Sequence, residues 1–157
     1  MRAKGKQMNK FLHILIKLEV GDRIVVPKST WDLIQHHAIY LGYWNNQYWF
    51  IENKEGYGVR IVCADVFFAG VNKVTRINKF TPRYNYSRND LYNYALTKQG
   101  RRYDLLKYNC EHLSNELQHH VVKSKQASTG LGLGLLALGL FIAGVASESN
   151  NNKSKNY

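Results

Sequence analysis

Two short segments carry residues whose types could do chemistry. Gln35-His36-His37-Ala38-Ile39-Tyr40-Leu41-Gly42 puts imidazoles at the start of a β-rich run. Tyr108-Asn109-Cys110-Glu111-His112-Leu113 puts a thiol at the start of a run with helical spacing. A thiol at a helix start gains from free backbone N–H groups and from the helix dipole, and both favour thiolate. A nearby imidazole can serve that thiol as base and then as acid. Backbone N–H groups at the same helix start can supply part of an oxyanion hole. Thiolate, base and oxyanion donors are the minimum set for acyl transfer. Taken alone the pattern is weak, because a lone cysteine is more often a small buried hydrophobe. Nothing in the spacing requires Cys110 and His36 to meet.

The elements around them read as α+β. FLHILIKLEV, residues 11–20, fits helix or strand equally. Gly21-Asp22 signals a turn. RIVVP, HHAIYLG, QYWFIEN and YGVRIV read as strands, with Asn45-Asn46 and Glu55-Gly56 as turns between them. ADVFFAG and VNKVTRI read as two further short strands. Ser87 is a good N-cap for NDLYNYALTKQ, with Asp90 three residues on and Gly100 as C-cap. A second helix, CEHLSNELQHHVV, puts Leu113, Leu117 and Val121 on one face. Strands followed by helices imply an α+β fold.

Composition sets the partners. The chain has 157 residues, enough for one domain. Its 22 Lys+Arg against 11 Asp+Glu give a net charge of +11, which favours an anionic partner. Two cysteines, Cys63 and Cys110, exclude a disulfide framework and a cysteine-only zinc site. Residues 126–147, QASTGLGLGLLALGLFIAGVAS, hold no charged residue. As a helix that run would rise roughly 33 Å, enough for a hydrocarbon core of about 30 Å. We expect a transmembrane or membrane-associated helix over 127–147 and a disordered polar tail over 148–157. Lys123 and Lys125 precede the span, and the excess of Lys and Arg before it places the domain on the cytoplasmic side, as a single-pass C-terminal anchor. Gly130 and Gly134 form a GxxxG pair, which would permit a homodimer through the membrane helix. Nucleic acid is the weaker partner, since no stacking motif accompanies the charge.

At the two segments the sequence resembles the lecithin retinol acyltransferase (LRAT) family, which belongs with the permuted NlpC-type, papain-like thiol enzymes. Gly21-Asp22-Arg23-Ile24 with Val26-Pro27 is similar to that family's opening turn and strand. His36-His37-Ala38-Ile39-Tyr40-Leu41-Gly42 is similar to its histidine strand, and Asn109-Cys110-Glu111-His112-Leu113 to its Asn-Cys-Glu-His block. The three occur in the family's order over residues 20–120. The resemblance implies a domain over 20–124 with residues 1–19 as an extension ahead of it.

It also implies roles. Cys110 is the expected nucleophile and His36 the general base, with His37 at a position usually aromatic in the family's animal members. The residue that orients the imidazole falls at Glu52, with the adjacent Asn53 as the alternative. Many members have histidine there, so this is a departure. Side chains alternate along a strand, so Glu52 and Asn53 cannot both face the site. A carboxylate can hold the imidazole tautomer, as in other triads. Tyr40, on the same strand face as His36, and Tyr108, a weak oxyanion candidate, are the candidate substrate-binding residues. His112 lies about 200° round the helix from Cys110, which suits a structural hydrogen bond. His119-His120 with His36-His37 lack the spacing of a metal site. No cofactor or metal is needed by the implied mechanism.

The expected function is a membrane-anchored thiol-dependent acyltransferase or phospholipase A. It would act on glycerophospholipid or other acyl esters at an anionic membrane surface, through a Cys110 thioester. The alternatives are a papain-like cysteine peptidase or amidase, and a non-catalytic membrane adaptor of the same fold.

Overall fold

The protein is described here from a computed structural model, which places residues 4–28 and 34–129. Met1–Ser124 form one compact unit, and a second begins at Lys125. The expected membrane helix and polar tail fall almost wholly outside the described residues. Among the described residues no helix is long and apolar enough to cross a membrane.

The unit is α+β. In chain order it has α1 (Lys4–Leu15), β1 (Arg23–Pro27), β2 (Gln35–Trp44), β3 (Gln47–Lys54), β4 (Gly58–Cys63), α2 (Ala64–Phe67), β5 (Arg76–Asn78), α3 (Arg88–Leu96) and α4 (Cys110–His119). The strands form one antiparallel sheet in the order β4-β3-β2-β1-β5. Asn45 and Asn46 both take positive φ, +50° and +57°, as a two-residue hairpin turn requires. The β2–β3 register slips between Tyr40 and Gly42, a bulge that leaves the His36 end of the hairpin undisturbed.

Strand alternation divides the core into two layers. Ile24, Val26, Ala38, Tyr40, Phe50 and Val62 face Phe11 and Leu15 of α1 and the Phe67-Phe68 pair. Ile39, Leu41, Ile51 and Val59 face Leu91 and Ala95 of α3 and Leu113 and Leu117 of α4. The sheet is covered on both sides, so its strands read as apolar runs rather than as apolar/polar alternation. Phe50 and Phe68 are fully buried and contribute about 2 kcal/mol each by burial.

Some elements differ from the sequence reading. ADVFFAG does not form a strand: α2 occupies Ala64–Phe67. Ala64, Phe67 and Phe68 all enter the same core layer, which a helical turn permits and a strand with alternating side chains does not. Of VNKVTRI only Arg76 and Ile77 pair, within β5. Residues 1–19 contribute α1, whose Phe11 ring stacks on Phe68 at 4.4 Å. Ser87 caps α3 with a complete capping box to Asp90, but the C-cap is Thr97, not Gly100. Gly100 instead turns the chain onto β4, where its N–H bonds Val59 O at 2.9 Å. The last helix ends at His119, with His120 in the left-handed region, so Val121 lies outside it and is exposed.

The Gly-Asp turn has a structural reason. Gly21 has φ +94°, and a Cβ there would sit 2.7 Å from the Phe80 ring. Asp22 is fully buried. Its carboxylate accepts from the N–H groups of Glu19 and Phe80, each at 3.0 Å, and from Lys79 Nζ at 2.7 Å. It thereby ties the start of β1 to the chain before α3.

Candidate active site

Cys110 is the first residue of α4, and Asn109 caps that helix. Asn109 Oδ1 accepts from the N–H groups of Glu111 at 2.9 Å and His112 at 3.1 Å. The Asn109 N–H donates in return to His112 Nδ1 at 3.1 Å. This reciprocal box fixes the helix start and gives His112 a structural hydrogen bond. The cap leaves the Cys110 N–H outside its bonds, at the thiol, where a developing oxyanion would need a donor.

The Cys110 side chain lies close enough to the His36 ring to act on its charge. Cys110 Sγ also lies 3.7 Å from the carbonyl oxygen of Gln35, the residue before His36. The pair therefore meets at the first residues of β2. On its other side His36 Nε2 is 2.5 Å from Glu52 Oε2. Burial pulls the imidazole's pKa down. The hydrogen bonds and charges of Cys110 and Glu52 outweigh this and hold it up at about 9. Glu52 is buried, which would raise its pKa, yet the bonds and charges of His36 and Arg60 keep it below the usual carboxylate value. The Phe67 ring packs 5.8 Å from the imidazole. Such a pair is suited to thiolate–imidazolium chemistry on an acyl carbonyl.

The alternation on β3 separates Glu52 from Asn53. Glu52 is the one that reaches His36. Asn53 points to the other layer, where its Nδ2 donates to Tyr108 O at 2.6 Å and holds the approach to α4. Tyr108 is not brought to the thiol by its hydroxyl, which donates to Glu116, while Arg101 stacks 3.3 Å over its ring. Tyr40 is buried against Phe50 and Tyr48. It packs rather than lines the thiol. His120 packs tilted against Tyr86, ring centroids 4.3 Å apart, and no metal-binding group of His, Cys, Asp and Glu occurs among the described residues. Cys63 ends β4, half-buried.

Three residues near the site escaped the sequence reading. Arg60 donates to Glu52 Oε1 through Nε at 2.9 Å. Arg23, read as part of the opening turn, is buried and donates to His37 Nδ1 at 2.9 Å and to Asn115 Oδ1 at 2.6 Å. Burial lowers the Arg23 pKa to about 10, with Arg76 adding to it and with the charges of Glu111 and Cys110 opposing, so it stays cationic at neutral pH. Tyr103, in the loop before α4, is pushed up to about 12 by burial and by the charges of Cys110, Glu55 and Asp104. The Glu55-Gly56 turn makes Arg60 readable, since it sets Arg60 directly opposite Glu52. No local signal marks Arg23 or Tyr103.

A surface depression of about 320 Å3, lined by Lys79, Phe80, Thr81, Arg83, Gln118 and His119, lies at the far end of α4 from Cys110. It has no part in this chemistry. No family model matches the chain, and no curated protein matches it.

Proposed function

We propose that the chain is a membrane-anchored thiol acyltransferase or phospholipase A of the lecithin retinol acyltransferase type, with a permuted NlpC-type, papain-like domain. The observation that carries this reading is the arrangement of Cys110, His36 and Glu52: the thiol lies 3.7 Å from the carbonyl oxygen of the residue before His36, and the imidazole lies on a buried carboxylate. The resemblance of the segments around Cys110 and His36, the net charge of +11 and the uncharged run before Glu148 support a lipid ester over a peptide.

The steps follow from the residues. The Cys110 proton passes to His36, leaving thiolate and imidazolium. The thiolate adds to the ester carbonyl carbon, and the Cys110 N–H faces the oxyanion. His36 returns its proton to the leaving alcohol oxygen as the C–O bond breaks, and a Cys110 thioester remains. His36, neutral again, takes a proton from water or an acceptor alcohol or amine as that group attacks. The acyl product leaves and the thiol is restored. Glu52 holds the imidazole in place throughout. In this reading the apolar segment anchors the domain on the cytoplasmic face, and the basic surface meets anionic lipid.

The test is mass spectrometry of the full chain after incubation with phosphatidylcholine vesicles. A mass increase of one fatty acyl chain, absent in Cys110→Ala, is expected. No adduct but rapid iodoacetamide labelling at Cys110 would redirect the reading to an amide substrate. No adduct and a sluggish thiol would leave a non-catalytic adaptor.

A further inference from the structure

The imidazole-orienting position holds a glutamate, and a glutamate buried to 2% exposure is costly to keep ionised. One neighbour on each flanking strand answers this. His36 comes from β2, and Arg60 stands directly opposite Glu52 on β4. The two divide the carboxylate between them. Arg60 Nε at 2.9 Å and Nη2 at 2.8 Å both address Oε1, and His36 Nε2 at 2.5 Å addresses Oε2. The guanidinium itself lies 4.1 Å over the ring of Tyr57 in the turn before β4. A lysine could supply charge here but not the two-pronged grip on one oxygen.

We propose that Arg60 is the positioning residue of this site: it keeps Glu52 ionised and occupies Oε1, so that Oε2 alone is aimed at His36. The proposal rests on the reading of Cys110, His36 and Glu52 as the catalytic set, and it accounts for a carboxylate working where histidine is common. An ordinary cross-strand ion pair would have both oxygens facing its partner or solvent. Here the second oxygen is spent on the base. The groups facing Glu52 are His36 from β2 and Arg60 from β4, with Cys110 of α4 beyond His36. The Phe67 ring of α2 packs against His36 and brings no charge.

The experiment is the pH–rate profile of iodoacetamide alkylation at Cys110, in the full chain carrying Cys63→Ser. A catalytic set gives an acid limb below the rise of a simple thiol, and Glu52 must be ionised for that limb to appear. Arg60→Gln removes a cation from a buried carboxylate, so the limb is expected to move upward by about one pH unit. Arg60→Lys is expected to restore most of the shift. If Arg60→Gln does not fold, Tyr57→Ala, at an exposed ring, frees the guanidinium and is expected to move the limb the same way by less. A limb left in place by the variant that folds overturns the role of Arg60 and leaves the catalytic set standing. A wild-type profile with no acid limb overturns the catalytic set and this inference with it.

Discussion

Arg23 donates through Nε to Nδ1 of His37 at 2.9 Å, so a buried guanidinium faces a buried imidazole between neighbouring strands. The acceptor nitrogen must carry no proton. Burial, then the charges of Arg23, His36 and Arg76, hold the His37 pKa down at about 2.

This makes His37 an acid-labile element of the fold. Its folded value lies below its unfolded value of about 6.5, so the stability it contributes is complete above about pH 6.5. That stability is lost progressively as the pH falls toward about 2. Urea unfolding followed by circular dichroism should show a midpoint that drops between about pH 6.5 and about pH 4. In His37→Gln the midpoint should be lower at neutral pH but flatter over that range. An equal slope in the variant would assign the acid sensitivity to other groups.

His36 works with the opposite sign. Its folded value, about 9, lies above the unfolded one, so its contribution is full below about pH 6.5 and is lost as the pH rises through about 9. The same urea series should therefore lose stability on the alkaline side, by at most about 1.4 kcal/mol per pH unit from this group. Cys110→Ala removes one of the two groups that hold the imidazole's pKa up and should shallow that slope. A slope unaltered in Cys110→Ala would mean that Cys110 has no hold on the His36 charge.

Glu52 and Asn53 are neighbours in sequence with separable tasks. Under the proposed function, Glu52→Gln should cut the acyl-transfer rate about a hundredfold or more, because the imidazole loses the carboxylate that holds it. Asn53→Ala should instead cost about 2 kcal/mol of stability, since Tyr108 O loses a buried donor. Rate and urea midpoint measured on both variants decide between them. A larger rate loss in Asn53→Ala than in Glu52→Gln would reverse the assignment.

Gly58 starts β4 with φ +73°, and a Cβ there would meet Arg101 O at 2.6 Å. That close approach lets Val59 N–H bond Arg101 O at 2.8 Å and cover the edge of β4. Gly58→Ala should lower stability by about 2 kcal/mol, from the left-handed backbone and the displaced loop. Thermal unfolding of the variant checks this, and a change under about 0.5 kcal/mol would mean the loop gives way freely.

Local chemistry made much of the architecture legible from sequence. Asn45-Asn46 announces its hairpin, Ser87 and Asp90 announce α3, and alternation on QYWFIEN was enough to send Glu52 and Asn53 to opposite faces. Pairs of remote residues were not legible. The Phe67-Phe68 pair reads as strand until its common core layer is known. Arg23 looks like any polar residue in a turn until α4 brings Asn115 to it, 92 positions along the chain. The contact of Cys110 with the start of β2, 75 residues away, is of the same kind and follows from no spacing rule.

That separation has a consequence for biosynthesis. His36 lies on the second strand and Cys110 on the last helix of the unit. During synthesis the sheet strands leave the ribosome well before the thiol does. The two come together only when α4 docks, a non-local contact of the kind that closes late in folding. A nascent or partly folded chain therefore holds an ordinary cysteine, and under the proposed function the chemistry would switch on only with completion of the fold.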